Sequence, residues 1–198
     1  MMLMDNINVV GNINNMNTTI IGTFKSGKSA LGKKLSTMGY YLSIETLSNI
    51  HISIDEAKTK LNVDKFLEAT TLQSKVVANI IDLVEKGHKL LVIDDLLTFV
   101  DRDIKQAIIK YLKEKEIRFI NITSDIEDTL LTDYLIVMYD GRIALEGKTL
   151  EVLQEEKILK RLGFNLPFIV DLSIQLKYYG LVDKIYLDQE ELVNILWK

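Results

Sequence analysis

The sequence predicts an α/β fold with a mainly parallel sheet, and three observations lead to it. Short apolar runs alternate with longer stretches of helical periodicity, which is typical of strands and helices following each other. A glycine-rich loop at 22–29 follows the first run directly. Such loops typically connect a buried strand to the helix that follows it. Asp140 and Gly141 turn the last run back, which predicts a hairpin with 142–147. The predicted strands before that turn are 18–21, 89–95, 117–123 and 133–139.

Apolar residues spaced three and four apart predict the helices. The first is expected from about Lys28 to Met38. The second begins near Gln73 and is capped by Gly87, since glycine commonly ends a helix. A further helix is marked by the spacing of Ile104, Ile108, Ile109 and Leu112.

The C-terminal region is predicted to be helical. Pro167 is expected to open a helix that reaches about Tyr179, because proline fits the first turn of a helix, and 188–197 forms the last helix. The pattern is less decisive before the second helix. Residues 40–54 are compatible with a strand, and 55–69 with one or two short helices.

Composition narrows the classes of function. A net charge of −4 and an isoelectric point near 5.3 argue against a nucleic-acid partner, which needs a basic face. The absence of cysteine excludes disulfides, and the isolated His51 and His88 disfavour zinc. No apolar run approaches the roughly 18 residues that cross a bilayer. We expect a cytoplasmic protein without direct membrane insertion, whose attachment to the inner face of the cell membrane would require a partner.

The loop after the first strand has the spacing G-x-x-x-x-G-K-S. Its glycines let the backbone turn so that consecutive N–H groups point at phosphate oxygens. Lys28 supplies a cation for the β- and γ-phosphates, and the Ser29 hydroxyl is a ligand for Mg²⁺. The alternative is a flexible loop without a ligand, which the strand-loop-helix context disfavours. The predicted cofactor-binding residues are Gly22, Lys25, Ser26, Gly27, Lys28, Ser29 and Ala30.

Two acidic residues end the apolar run 90–93. Asp94 would lie at the carboxyl edge of the sheet beside the glycine loop, where it can hold Mg²⁺ through water. Asp95 would take the place of a catalytic base or water-orienting carboxylate. The alternative is a buried strand that ends in two solvated acids. The predicted metal ligands are therefore Ser29 and Asp94.

The C-terminal half resembles the ATP-binding subunits of ABC transporters, most closely the energy-coupling-factor ATPases that drive vitamin and metal uptake. The matching segments read "INITSDIEDTLLTDYLIVMYDGRIALEGKTLEVLQEE", "LKRLGFNLPFIVDLSIQLKYYGL" and "DQEELVNIL". The resemblance covers roughly 18–38 and 70–198. It implies a P-loop NTPase core of the RecA-like, ABC type at 1–150, with a reduced helical subdomain. It also implies a small helical C-terminal appendage at 151–198 that helps two such ATPases to pair.

The resemblance further implies ATP and Mg²⁺ as cofactors. The implied partners are a second ABC ATPase, in a homodimer or heterodimer, and a transmembrane transporter subunit. Residues 1–17 contain no aromatic side chain that could stack on adenine, as a tyrosine does in the family. Asp101 matches an aspartate through which the family's subunits communicate. The alternative for Asp101 is a helix N-cap.

Several positions depart from the family pattern. Lys25 replaces a third glycine, which either adds charge near the phosphates or restricts the loop. The signature loop falls on Thr70–Ser74, which has no glycine for close approach to a partner's nucleotide. Ser124 replaces the switch histidine, and Asp95, one methylene shorter, replaces the catalytic glutamate. No glutamine lies between 40 and 72 for the family's glutamine loop, and most of the docking subdomain is missing.

Ser124 and Asp95 are thus the candidate catalytic positions, and both are altered. The leading hypothesis is an ABC-type subunit that binds MgATP with impaired hydrolysis. The alternative is a pseudo-ATPase with an interaction or regulatory role outside transport. A third hypothesis, a small P-loop kinase or GTPase, is opposed by the absence of an N-K-x-D motif and by the ABC-like tail.

Overall fold

The computed structural model describes residues 15–50, 52–63 and 71–197. Most of the segment 1–17, His51, Thr70 and the part of the predicted helical stretch at 64–69 lie outside the described residues. Six strands are described: β1 Thr18–Gly22, β2 Tyr40–Leu42, β3 Leu90–Asp94, β4 Arg118–Thr123, β5 Tyr134–Tyr139 and β6 Arg142–Lys148. The described helices are α1 Lys28–Leu35, α2 Ile54–Leu61, α3 Thr71–Glu85, α4 Arg102–Glu114, α5 Thr149–Leu153, α6 Glu156–Arg161, α7 Phe168–Tyr178 and α8 Gln189–Leu196.

The strands form one sheet in the order β2-β3-β4-β1-β5-β6. Every neighbouring pair is parallel except β5 and β6, which are antiparallel. The predicted α/β fold with a mainly parallel sheet is therefore confirmed. Because β1 lies between β4 and β5, the loop that leaves β1 is flanked by the carboxyl ends of both strands.

Local sequence explains where several elements end. Gly87 ends α3 with a left-handed φ of 85°, and its neighbour His88 donates from its backbone N–H to the Leu83 carbonyl oxygen at 3.2 Å. Asp140 and Gly141 have φ values of 46° and 72°, as the tight turn of a two-residue hairpin requires. Asp188 accepts a hydrogen bond from the backbone N–H of Glu191 at 2.8 Å and so caps α8.

Alternating residues of the strands bury opposite faces of the sheet. On one face, Ile20, Val92 and Ile122 pack in a buried cluster with Leu35 of α1. On the other face, the strands β2 to β4 pack under α3 and α4 in a second cluster that contains the fully buried Phe119. Parallel strands covered on both faces are expected to be apolar throughout, which is why their sequences read as continuous apolar runs.

The C-terminal helices cover the rest of that second face. Ile21 of β1 and Val137 of β5 share a buried cluster with Val152, Val170 and Leu192. The residues after 150 therefore complete the burial of the strand that leads into the glycine loop. The boundary between a core at 1–150 and an appendage at 151–198 stays a prediction. No helix in the described ranges is both long and apolar enough to span a bilayer.

Candidate functional site

The loop that leaves β1 is packed too closely at its start for a side chain. A Cβ on Gly22 would lie 2.1 Å from Ser26 Oγ and 2.8 Å from the Met138 carbonyl oxygen. The carbonyl belongs to the backbone of β5, which has little room to move. Ser26 is buried, and its carbonyl oxygen accepts a hydrogen bond of 3.0 Å from the N–H of Gly141. The β5–β6 turn therefore supports the loop from one side.

Two loop residues have left-handed backbones. Gly27 has a φ of 96°, which glycine adopts without strain. Lys25 has a φ of 64°, which is unfavourable for a residue with a Cβ, so the lysine restricts the loop at this position. The Lys25 side chain is exposed, and its ammonium lies 5.4 Å from the centre of the Phe24 ring.

The glycine loop ends at the N-terminus of α1. The first helical hydrogen bond joins the Leu31 N–H to the Gly27 carbonyl oxygen at 3.0 Å. The N–H groups from Gly27 to Ala30 therefore precede the helical ladder, where backbone donors have no partner within the helix. Together with the positive end of the helix dipole, such a group of donors forms an anion-binding site.

Lys28 is brought into contact with Ser124, the predicted switch position. The Lys28 ammonium donates to Ser124 Oγ at 3.0 Å. Lys28 is only 7% exposed, whereas Ser124 lies exposed directly after β4. A buried ammonium needs partners, and the serine hydroxyl is one of them. Lys28 and Ser124, which follow β1 and β4 in the chain, thus meet at the carboxyl edge of the sheet, because β1 and β4 are parallel neighbours.

The predicted metal ligands also meet. Ser29 Oγ donates to Asp94 Oδ1 at 3.3 Å, and the Tyr41 hydroxyl donates to Asp94 Oδ2. Burial raises the pKa of Tyr41, and its hydrogen bond to Asp94 raises it further. Tyr41 was not among the predicted site residues. No local sequence signal identifies it, because its place depends on the pairing of β2 with β3, which sets Tyr41 beside Val92, on the same face as Asp94.

The residues present fit a magnesium ion. A hydroxyl and a carboxylate provide the oxygen ligands that Mg²⁺ prefers. In the part of the chain that the structure describes, no group of three or more His, Cys, Asp or Glu side chains could hold a metal. A Mg²⁺ ion at Ser29 and Asp94 would therefore need further oxygen ligands from phosphate and water, as is usual for nucleotide-bound magnesium.

Asp95 lies beside this pair in an unusual backbone conformation. Its φ is 54°, and its N–H donates to the Ile122 carbonyl oxygen at 2.8 Å. Short side chains such as Asp and Asn tolerate the left-handed region better than longer ones, which favours aspartate over glutamate here. Withdrawal from water raises the pKa of Asp95, although the side chain reaches solvent. Lys28 opposes this rise, and the charges of Asp94 and Asp128 add to it.

The predicted signature-loop position lies largely within a helix. Of its five residues, those from Thr71 onward form the first turn of α3, and Thr70 is not described. The buried Gln73 donates from Nε2 to Asp101 Oδ2 at 3.2 Å. Asp101 occupies the N-cap position of α4, yet its side chain makes no capping hydrogen bond. The two positions thus contact each other within this chain.

A cleft of about 290 Å³ opens beside the metal-ligand pair. It is bounded by residues of α1, of the segment after β2 and of the segment after β3. Its lining includes Ser29, Lys33, Tyr41, Asp94, Asp95 and Phe99. The cleft therefore contains both predicted metal ligands and Asp95, one of the two predicted catalytic positions.

The mainly parallel sheet, with a glycine loop after its first strand, has the fold of known ABC ATPase structures. CbiO1 from Clostridium perfringens, part of the ABC transporter complex CbiONQ, matches with a TM-score of 0.53 and 20% identity, covering 83% of this chain and 86% of that chain. An ATP-binding subunit of an ABC transporter matches with a TM-score of 0.51 and 12% identity, covering 75% and 88%. At these identities the likeness establishes the fold.

The chain is similar in sequence to energy-coupling factor transporter ATP-binding proteins called EcfA1. The protein from Lactobacillus delbrueckii subsp. bulgaricus is 31% identical over 116 residues, which is 56% of this chain and 41% of the relative. That from Mesomycoplasma hyopneumoniae is 28% identical over 138 residues, 68% of this chain and 48% of the relative. The chain thus spans less than half the length of these relatives. No family model matches it. The resemblance inferred from the sequence is confirmed.

Proposed function

We propose that this chain binds ATP with Mg²⁺ as an ABC-type nucleotide-binding subunit of an energy-coupling-factor transporter, and that its hydrolysis is impaired. One observation carries the proposal: Lys28, Ser29 and Asp94 converge at the start of α1. The similarity to transporter ATP-binding proteins supports the same function.

Each group has a distinct role in the proposed site. The N–H groups from Gly27 to Ala30 bind phosphate oxygens, and Lys28 exchanges its contact with Ser124 for the β- and γ-phosphates. Ser29 and Asp94 hold Mg²⁺. When bound, Mg²⁺ neutralises phosphate charge and fixes the orientation of the phosphates. Burial of Lys28 and Asp94 strengthens these interactions, because water screens them less.

Three features support impaired hydrolysis. Ser124 has no group that titrates near neutral pH, and its short side chain already accepts from Lys28. Asp95 is one methylene shorter than glutamate, and a misplacement of about 1 Å lowers a rate about a hundredfold. The first turn of α3 occupies most of the signature position, and Gln73 contacts Asp101 there. A glycine-poor helix cannot approach a partner's phosphate closely through its backbone.

The proposed partners follow from the resemblance. They are a second ABC ATPase, either a copy of this chain or a hydrolysis-competent one, and a transmembrane transporter subunit. In a heterodimer the second ATPase would supply the residues that this chain lacks. The proposed location is cytoplasmic, at the inner face of the cell membrane.

The test is calorimetric titration of the chain with ATP and Mg²⁺. We expect saturable binding that Lys28→Ala abolishes, because it removes the cation under the phosphates. Lys34→Ala is the matched control, since Lys34 is an exposed lysine of the same helix. Steady-state phosphate release at saturating ATP should stay below about 0.1 s⁻¹, roughly a hundredfold under a median enzyme. Undetectable binding at millimolar ATP would overturn the proposal.

A second candidate is a pseudo-ATPase that interacts with another protein outside transport. This candidate is favoured by the reduced connection between β2 and β3. Of the residues that the structure describes there, only α2 and α3 are α-helical, so most of the subdomain that would dock on a membrane partner is missing. The experiment is affinity purification from native membranes with ATP and Mg²⁺. Recovery of a membrane transporter subunit would rule out the second candidate and support the first.

A further inference from the structure

Both carboxylate oxygens of Asp94 are engaged by hydroxyl donors. Ser29 Oγ lies 3.3 Å from Oδ1, and the Tyr41 hydroxyl donates to Oδ2. Asp94 is only 7% exposed, so water contributes little to its solvation. The phenol is therefore a main source of stabilisation for a charge that is otherwise buried.

Tyr41 is held in place on more than one side. Its ring borders α1, where a Cβ added to Gly32 would lie 3.5 Å from Tyr41 Cε2. The Lys33 ammonium lies 6.0 Å from the ring centre. On the other side, the parallel register sets Tyr41 beside Val92 of β3. The hydroxyl is thus presented to Asp94 by packed elements, at the wall of the cleft.

A hydrogen bond to a carboxylate changes what that carboxylate can bind. Hydrogen bonds to ionised groups are short and about twice as strong as neutral ones. A donor on Oδ2 withdraws negative charge from Asp94 and occupies lone pairs that a cation or its bound water would use. The same donor also reduces the repulsion between Asp94 and a polyphosphate when no cation is bound.

We propose that Tyr41 is a positioning residue that weakens Mg²⁺ binding at Asp94 and makes ATP binding less dependent on Mg²⁺. The inference rests on the proposed function, because it concerns the same phosphate and metal site. Tyr41 acts through Asp94, to which its hydroxyl donates. It sets how strongly the carboxylate discriminates between metal-loaded and metal-free nucleotide.

The test compares ATP affinity in excess Mg²⁺ with ATP affinity in EDTA, for the full chain and its variants. The measured quantity is the ratio of the two dissociation constants, metal-free over metal-loaded. Tyr41→Phe keeps the ring and removes the hydroxyl. We expect it to raise the ratio about tenfold, the size of one hydrogen bond to a charged group. A purely structural role for the ring would weaken both affinities together and leave the ratio unchanged.

Two controls isolate the hydroxyl. Tyr40→Phe changes the neighbouring tyrosine of β2, which packs against the His88 ring at 5.0 Å between centroids, on the opposite face of the sheet. It should leave the ratio unchanged. In an Asp94→Asn background, Tyr41→Phe should also have no effect on the ratio, since the carboxylate through which it acts is gone.

A second variant without a donor repeats the test itself. Tyr41→Met should reproduce the increase in the ratio.

The outcomes separate this inference from the proposed function. If wild type and variants bind ATP and the ratios for Tyr41→Phe and Tyr41→Met stay within about twofold of wild type, the inference is wrong and the proposed function stands. If the folded wild type binds no ATP in either condition, both are wrong. Circular dichroism confirms that each variant is folded.

Discussion

The two sides of the candidate site differ in what holds them together. On the predicted phosphate side, the N–H groups at the start of α1, the buried Lys28 and the predicted metal ligands Ser29 and Asp94 converge across α1 and β3. On the predicted hydrolytic side, Ser124 contacts Lys28 and Gln73 contacts Asp101, so these positions contact groups of the same chain. A backbone cradle persists when side chains change, because its donors belong to the main chain. Hydrolysis depends on the reach and pKa of particular side chains, which single substitutions remove.

The largest expected effect is on the phosphate side, at Gly22. Gly22→Ala places a Cβ 2.8 Å from the Met138 carbonyl oxygen, so β1 and β5 must shift. We expect a loss of about 1–3 kcal/mol in the free energy of unfolding, together with greatly weakened ATP binding. Denaturant unfolding and calorimetry measure the two effects.

The control for Gly22 is Gly180→Ala. Gly180 has open space around a Cβ and a left-handed φ of 71°, so its alanine variant carries backbone strain without a collision. It should leave ATP binding intact. Wild-type ATP affinity in Gly22→Ala would show that the loop does not depend on the close approach of β5.

A smaller effect is expected on the hydrolytic side, at Gln73. Gln73→Ala leaves the Asp101 carboxylate without this donor and should lower the free energy of unfolding by about 1–2 kcal/mol. ATP affinity should stay unchanged, because the contact lies outside the phosphate cradle. The matched control is Gln106→Ala on the exposed face of α4, which should be neutral in denaturant unfolding. A loss of ATP affinity in Gln73→Ala would show that the two sides are coupled.

The smallest effect is a pH dependence at Asp95. Its pKa is raised in the folded state, so the folded chain holds the Asp95 proton more tightly than the unfolded chain. The ionised form is therefore destabilising, and this penalty grows as the pH rises from the ordinary value of 3.8 through the raised pKa. We expect Asp95→Asn to raise Tm slightly at pH 7 and to lose this advantage as the pH falls toward 3.8.

Thermal unfolding of Asp140→Asn provides the comparison. Asp140 shares the left-handed backbone, with a φ of 46°, and therefore isolates any effect of placing asparagine in that conformation. If Asp95→Asn showed no Tm difference at pH 7 beyond that of Asp140→Asn, the rise in pKa would not affect stability.

The sequence predicted the elements better than it predicted the contacts between side chains. Strands and helices were readable because buried runs and turn signals are local, and the β5–β6 hairpin follows from Asp140 and Gly141 alone. Tyr41 was missed because its role depends on the pairing of β2 with β3, which connects distant segments. The left-handed backbone of Asp95 was equally unreadable, since two successive aspartates do not reveal which one turns.

The alternatives left open by the sequence have different outcomes. Lys25 carries a backbone cost, because it adopts the left-handed conformation that glycine favours, and its added charge near the phosphates stays a prediction. Asp101 sits at an N-cap position, but its side chain accepts from Gln73 and caps nothing. Choosing between such alternatives requires the backbone angles and the direction of the side chain. Sequence periodicity carries no information about either. The roles of these residues in nucleotide binding stay predictions.

The burial of Ile21 has a consequence for the order in which the chain folds. The ribosome makes β1 and its loop early, but the cover over Ile21 includes Val152, Val170 and Leu192, which emerge much later. Until then one face of this strand remains open to water or to a chaperone. The strand that leads into the glycine loop therefore depends on contacts of high sequence separation, which form slowly. The burial of Ile21 is complete only after α8 has docked.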